Sequence, residues 1–586
     1  MSKVHLRPIP KSRKLRGNRY GVFDIETWGL EPKRFALGAV VWFDGEYHDR
    51  TFTDPNEMKQ FIFSRRFKNY TFFGHNVEYD LLGILDNPLT FFDKIIYNKS
   101  RFILGIKKIS NKDNIKILDS MNLFQCKLED LGSALGYEKG KTPEKFVKGI
   151  KSKLVTSDFE YCLKDCYILI KSIYKLKSWV FDNFQTNIGA TIASTALKIW
   201  QTNWSMDLYV DDYVNNAFRL SYYGGRTEVF IKGTSNKHLN YYDINSLYPF
   251  VYSSIRLPDP SRMRKGRGKE LFNKIIKNKK YEGCANVILY NNLDIPILPM
   301  KDNGKLMFYR GYVQGYYNFN ELRFSLDRGY EIVEVNDFYY SYGIHSPFQE
   351  YASIIYSKRK RYKNDHNKMG NIFCKFLLNS LYGKFGEIRN DAEWGQWCEP
   401  KEGKVFEELR DGWGYWKHPQ QKEIMTDHTI FAWCSYITSG ARIRLYEFIE
   451  RCNEVWYCDT DSIITPDTLE TGEELGEMKL EGVVVKGIFL KPKTYHVIFS
   501  DGSENKRMKG IPKRAVPESI TQTSIEFDRF FKSKESFRRG KIAGTKNTVK
   551  KCNNFMVDDK RCFNDVDILS PNLSKPFERN EMGIVI

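Results

Sequence analysis

Along the first 185 residues, apolar and polar positions switch between two periods. "RYGVFDIET" (19–27) and "FALGAVVWF" (35–43) read as strands, the second with the length of one buried strand. "DFEYCLKDCYILIKSIYKLKSWVFDNF" (158–184) carries a helical period. This alternation predicts an α/β domain ending near residue 185. "YYDINSLYPFVY" (241–252) predicts a second strand-to-turn element, and the proline-free basic stretch from about 348 to 382 predicts one or two helices. Between 388 and 430, "EWGQW" and "DGWGYW" surround glycines and predict loops or hairpins. The segment from about 500 is basic and mixed. No internal repeat or low-complexity block appears.

One strand-like run breaks its own pattern. "VWYCDTDSII" (455–464) places two carboxylates one residue apart between apolar flanks. A buried carboxylate is unfavourable without compensation. Two readings stay open from this stretch alone: a solvated hairpin turn, or a hard-metal site in which carboxylates and substrate phosphates share the ion.

At 586 residues the chain is too long for one core and suggests roughly three to five domains. Its 41% hydrophobic and 15% aromatic content fits a globular protein with large cores. Lys and Arg number 91 against 72 Asp and Glu, a net charge of +19 that favours a polyanionic partner, nucleic acid before an anionic membrane. The 36 Tyr and 41 Phe favour nucleic acid further, because aromatic faces stack on unpaired bases. No run approaches the ~18 apolar residues needed to span a bilayer, and no amphipathic basic helix with a clean apolar face suggests a membrane surface. The basic N-terminus lacks the apolar core of a secretory signal, so secretion is not expected. The eleven cysteines are scattered without a CxxC, which makes zinc and a disulfide framework poor expectations and suits a reducing compartment.

The carboxylates fall into two sets. Asp24 and Glu26, two apart on a strand, project from one face. Asp80 follows in "NVEYD", and Tyr161 and Asp165 in "YCLKD" are four apart on one helix face. Singly, each reads as an exposed acid. Together they can hold two divalent metals, one activating water and one stabilising a leaving 3′ oxygen, with Tyr161 orienting the water. The second set is Asp243 with Asp459 and Asp461. Between them, Lys375, Asn379 and Tyr382 of "KFLLNSLYGKFG" would share one helix face, offering a cation, an amide and an aromatic plane. Gly383 would permit close approach of a base or backbone. A core-facing tyrosine and a solvated lysine are the plain alternative for that helix.

"DINSLYP", "KFLLNSLYG" and "YCDTDS" resemble motifs A, B and C of family B DNA polymerases, and "DIE", "NVEYD" and "YCLKD" resemble the three exonuclease motifs of their proofreading domain. The six occur in the family's order from about residue 20 to 465. "YYGGR" (222–226) and "KPKTY" (491–495) resemble the Tyr-x-Gly-Gly and Lys-x-Tyr motifs of the protein-primed, phi29-like phage branch.

The resemblance implies a multidomain α+β fold. An RNase H-like α/β 3′–5′ exonuclease domain (1–185) would precede a right-hand polymerase domain (186–586). Within the latter, the palm would span about 186–254 and 431–496, the fingers about 348–387, the thumb about 500–586, and insertions about 255–345 and 388–430. It further implies two Mg²⁺ ions per active site, with Mn²⁺ able to replace them, held by Asp243, Asp461 and the neighbouring Asp459 in the palm and by Asp24, Glu26, Asp80 and Asp165 in the exonuclease. Ser246, Leu247, Tyr248, Lys363, Lys375, Asn379 and Tyr382 would meet the dNTP, with Tyr248 packed on the deoxyribose. Asn76, Tyr79, Ser120, Leu123, Phe124, Tyr222, Gly224, Gly225, Gly383, Lys493 and Tyr495 would meet DNA. Here "DSMNLF" (119–124) departs from the family pattern by placing Met121 where a leucine is expected, and Lys139, Lys141 and Lys145 compete for the family's exonuclease lysine. Implied partners are primer–template DNA, single-stranded DNA, dNTPs and a terminal priming protein, for a monomer acting in the host cytoplasm as a viral or plasmid protein. The second insertion would close around DNA, giving processivity and strand displacement, with Trp394, Trp397, Trp413 and Trp416 at hairpin tips or in a small core. Two rivals remain at this level: a family B polymerase extending ordinary primers or starting unprimed, and a non-catalytic DNA-binding scaffold.

Overall fold

In a computed structural model, residues 3–15, 19–29, 31–98, 101–389, 424–509 and 571–585 are described without interruption, with shorter stretches of 393–419 and 536–563. The N-terminal part is built on a seven-stranded sheet. Its strand Tyr20–Thr27 pairs antiparallel with Phe35–Phe43 and parallel with Thr71–Gly74, which pairs parallel with Asn114–Asp119. The 29-residue helix Thr156–Phe184 crosses one face, and helices Pro55–Ile62 and Val77–Ile84 cover the other. Val22 and Val41 therefore join Cys166 and Leu169 in one core, while Phe23 and Val40 join Met58 and Leu81 in another. Burial on both faces is why "FALGAVVWF" is apolar throughout rather than alternating.

A second, ten-stranded sheet lies at the centre of the chain. Strand Leu239–Ile244 runs between Ser462–Thr465 and Met478–Lys491, and Ser462–Thr465 forms a hairpin with Tyr457–Asp459. Helix Phe431–Ile449 packs against helices Leu247–Ser254 and Asp212–Leu220, and nearly every one of its residues is buried. Its first three turns are buried on every side, and its few charged residues are partnered, Arg442 with Glu321 and Arg444 with Glu447. At Gly440 a Cβ would stand 2.6 Å from Val251, so glycine sets how closely the two helices approach.

Three further units branch from this centre. Strands Tyr281–Asn291, Arg310–Asn318 and Glu331–Ile344 form a long antiparallel ribbon with its own core. Helices Gln349–Asn364 and Lys368–Ser380 form a hairpin turned at His366, whose backbone is left-handed (φ 53°). Strands Ile388–Arg389 and Ile424–Met425 pair at the root of a three-stranded sheet formed by Glu393–Gln396, Val405–Arg410 and Trp413–Lys417. The hairpins expected in 388–430 are therefore present. Trp416 is buried, whereas the side chains of Trp394 and Trp413, and all of Trp397, lie outside the described residues.

The expected thumb spans about 500–586. Most of 510–570 lies outside the described residues. Of the rest, Glu504–Arg507 and Asn572–Lys575 extend the central sheet, and Glu578–Arg579 pairs with the ribbon strand Arg310–Asn318. No helix of the described residues is long and apolar enough to cross a membrane.

Two carboxylate clusters as candidate active sites

In the N-terminal unit, Asp24 and Glu26 leave the same face of their strand toward the long helix, where ligand atoms of both lie within 4.8 Å of each other and of the Cys162 thiol. Helix Val77–Ile84 contributes Asp80, and the long helix contributes Tyr161 and Asp165. One oxygen of Asp80 and one of Asp165 are buried without a hydrogen-bond partner. Burial, followed by repulsion from Asp165, pushes the Asp24 carboxyl up to about 7. Burial and Asp24 hold Glu26 and Asp80 well above the carboxylate range, and burial raises Asp165 against the pull of Lys139. So much unrelieved acid with orphaned oxygens suits a divalent cation.

Of the three competing lysines, Lys139 donates to Asp165, Lys145 donates to Asp158, and Lys141 is exposed. Lys139 also lies 5.5 Å from the Tyr161 ring centre, and the Tyr161 hydroxyl is 2.9 Å from that of Thr142. Asn76 takes a left-handed backbone (φ 69°), its N–H donating to Asp119, and Tyr79 bonds Thr27 next to Glu26. Ser120, Leu123 and Phe124 follow strand Asn114–Asp119 directly. All three are fully buried, because the turn after strand Asn114–Asp119 folds inward. Ser120 donates to the Gly74 carbonyl, and Phe124 packs toward Phe373 of the helical hairpin.

The central cluster is set by strand register. Asp243 stands opposite Ser462, and the Ile244 N–H donates to the Asp461 carbonyl at 2.7 Å. "DTD" is a hairpin turn, with Thr460 left-handed (φ 64°), and its three residues are half-buried. Burial and Asp461 push Asp243 up to about 7; burial and Asp459 push Asp461 up to about 6. Asp459 is engaged otherwise, accepting from Thr227 at 2.9 Å and from Lys493 at 2.8 and 2.9 Å. Asp243 opens onto a cleft shared with Tyr241, Glu481, Phe499 and Asn505.

Above it, Tyr248 stacks on Tyr382 with ring centres 4.3 Å apart and planes 13° from parallel. Lys375 and Asn379 are exposed on the second fingers-like helix. That helix ends at Ser380, so Tyr382 opens a 3₁₀ turn rather than the seventh position of a continuous α-helix face. A Cβ at Gly383 would meet nothing within 4 Å, leaving the space over it open. Lys363 sits apart, 3.4 Å from Glu473. The cation that reaches the turn before Leu247 is Arg359, 3.2 Å from the Ser246 hydroxyl. Sequence reasoning missed it, although it lies four residues before Lys363 on the same helix face.

The "YYGGR" segment is wired to the same turn. The Thr460 N–H donates to the Arg226 carbonyl at 2.7 Å, and a Cβ at Gly225 would stand 2.9 Å from the Thr460 side chain. Arg442 holds the carbonyls of Tyr223 and Gly224 at 2.8 and 2.9 Å while paired with Glu321 at 2.8 Å. Tyr222 packs against Phe431 and Gly386, and a Cβ at Gly224 would meet nothing. Lys493 has a left-handed backbone, and the Tyr495 hydroxyl lies 3.5 Å from that of Tyr241.

Residues 144–394 match the family model described as DNA polymerase type B, organellar and viral. The chain is 25% identical over 519 residues to a probable DNA polymerase of Podospora anserina, covering 73% of this chain and 41% of that relative. It is 24% identical over 528 residues to the DNA-directed DNA polymerase of Enterobacteria phage PRD1, covering 85% and 87%. The chain thus spans about 40% of the length of the first fungal relatives it matches. Among solved structures, phi29 DNA polymerase with primer–template DNA and incoming nucleotide aligns over 88% of this chain and 95% of that one, with a TM-score of 0.66 and 15% identity. The chain therefore has the multidomain α+β fold of phi29 DNA polymerase.

Proposed function

From the match of residues 144–394 to the organellar and viral type B DNA polymerases, we propose that the chain is a DNA-directed DNA polymerase with a 3′–5′ exonuclease, replicating a viral or linear genome from a terminal protein. The observation that carries this reading is the register placing Asp243 against the Asp459–Asp461 turn beneath the Tyr248–Tyr382 stack. Residues 1–185 act as the exonuclease domain and 186–586 as the polymerase, with palm, fingers and insertions at the boundaries expected from sequence.

Asp243 and Asp461 hold divalent ions at the polymerase site, with Asp459 in support. Asp24, Glu26, Asp80 and Asp165 hold them at the exonuclease site. Two such ions, Mg²⁺ or Mn²⁺, supply Lewis-acid activation of the attacking oxygen and neutralise the leaving group. The rest is done by this chain. Lys375 neutralises triphosphate charge, with Arg359 poised at Ser246. Tyr248, braced by Tyr382, leaves no room for a ribose 2′-hydroxyl. Lys493 exchanges Asp459 for the primer terminus. At the other site Lys139 steadies Asp165, and Tyr161 orients the attacking water. Protein priming is supported by the likeness to the PRD1 and phi29 polymerases, and the ribbon and the three-stranded sheet fall in the two intervals where insertions are expected.

Primer extension and single-strand degradation with purified variants test the reading together. Asp243→Ala or Asp461→Ala should abolish incorporation and spare degradation, and Asp24→Ala or Asp80→Ala should do the reverse. A palm variant that extends primers at near wild-type rate overturns the assignment. Dependence on an added terminal protein for initiation tests the priming step.

A further inference from the structure

We propose that the uncovered end of the ribbon sheet, around Tyr281, Tyr340 and Tyr342, binds unpaired bases of single-stranded nucleic acid by stacking. Phe338, Tyr340 and Tyr342 alternate along strand Glu331–Ile344 and so face the same way. Phe338 is buried under helix Lys269–Lys277, 5.3 Å from Phe272. The row of rings continues past the helix, half-buried at Tyr340 and Tyr281 and open to solvent at Tyr342. Tyr340 lies 5.6 Å from Phe338, Tyr281 5.4 Å from Tyr340, and Tyr342, directly across from Tyr281 in register, 4.8 Å from it. Tyr342 is 59% exposed.

Charge selects the occupant. Arg264 stands opposite Tyr340 on the neighbouring strand, and Lys279 and Lys280 lead into Tyr281. All three are exposed, and among the described residues none has a carboxylate partner. Exposed aromatic faces bordered by uncompensated cations match a base plane with its phosphate. A duplex offers phosphates and groove edges but no base faces, so stacking here selects unpaired nucleotides. The place is apt. Strand Leu257–Pro258, paired with this end of the ribbon, follows the helix bearing Tyr248, and the helix bearing Arg359 begins just after Ile344. A strand held here lies beside the elements of the candidate polymerase site.

The proposal rests on the reading of the chain as an enzyme of DNA. Oligothymidylate carrying 5-iodouracil, photo-cross-linked to the wild-type protein, should attach to Tyr281, Tyr340 or Tyr342. The Tyr281→Ala/Tyr342→Ala double variant should bind plain oligothymidylate about tenfold more weakly or worse, and an abasic oligomer of equal length as well as wild type does. Cross-links confined to other segments overturn the proposal. So does an equal loss on both oligomers, or unchanged affinity for both. Primer extension by the wild-type preparation tests the polymerase reading separately, since cross-links at these tyrosines without any extension would overturn that reading alone.

Discussion

Tyr248 lies nearly flat on Tyr382, and a ring held on one face cannot swing aside to admit extra bulk. Replacing it by valine should raise ribonucleotide use relative to deoxyribonucleotide use, read from competing single incorporations. Equal loss with both substrates would indicate a packing role instead. The acids make a different residue-scale prediction. A carboxyl raised from 3.8 to about 7 in the folded state, as at Asp24 and Asp243, stabilises the metal-free fold while protonated. That contribution is complete below the unfolded value and is lost as pH rises through about 7. Divalent ions compete with those protons, so the rise in melting temperature caused by Mn²⁺ should be larger at about pH 8 than at about pH 5.5. An equal rise at both, by scanning calorimetry, would place the ions elsewhere.

At the scale of elements, the pair Arg442–Glu321 links the buried helix to helix Phe319–Leu326, which joins two ribbon strands, and braces the "YYGGR" carbonyls. Arg442→Ala strands a buried carboxylate and should cost about 3–5 kcal/mol in denaturant unfolding. Replacing both partners by apolar residues should recover most of it. Deleting about 395–420 tests the second insertion. Its Tyr415 hydroxyl accepts from the Tyr97 N–H of the N-terminal unit at 3.3 Å, so this sheet spans from one unit to the other. Extension on an open template at high enzyme concentration should survive deletion, while products under single-binding conditions shorten and synthesis stops at a downstream duplex. Continued long-range displacement would reduce the insertion to a linker. What the sequence made legible were elements whose period is local: the strand of Asp24 and Glu26, the helix of Tyr161 and Asp165, and the fingers-like helix pair. What it hid depends on distant approach. A lysine's reach is absent from spacing, so Lys139 could not be separated from Lys145. Arg359 matters only once its helix doubles back over Ser246. Ser120, Leu123 and Phe124 matched a pattern, but an inward 3₁₀ turn buries them.

For the whole molecule, a net charge of +19 should make primer–template binding fall steeply and log-linearly with salt. A flat dependence would put that charge off the DNA path. One long-range pairing bears on how the molecule is made. Ser574 donates to the Phe230 carbonyl across 344 residues, inserting Asn572–Lys575 beside strand Ile231–Ser235. On the ribosome, that strand edge waits unpaired while the 344 residues up to Ser574 are made, whereas the N-terminal sheet can already have closed. The late partner makes the central sheet a high-contact-order, slow-forming unit whose waiting edge invites intermolecular strand pairing. Nascent chains stalled before residue 571 should therefore bind chaperones and aggregate more readily than chains released with the closing strand in place.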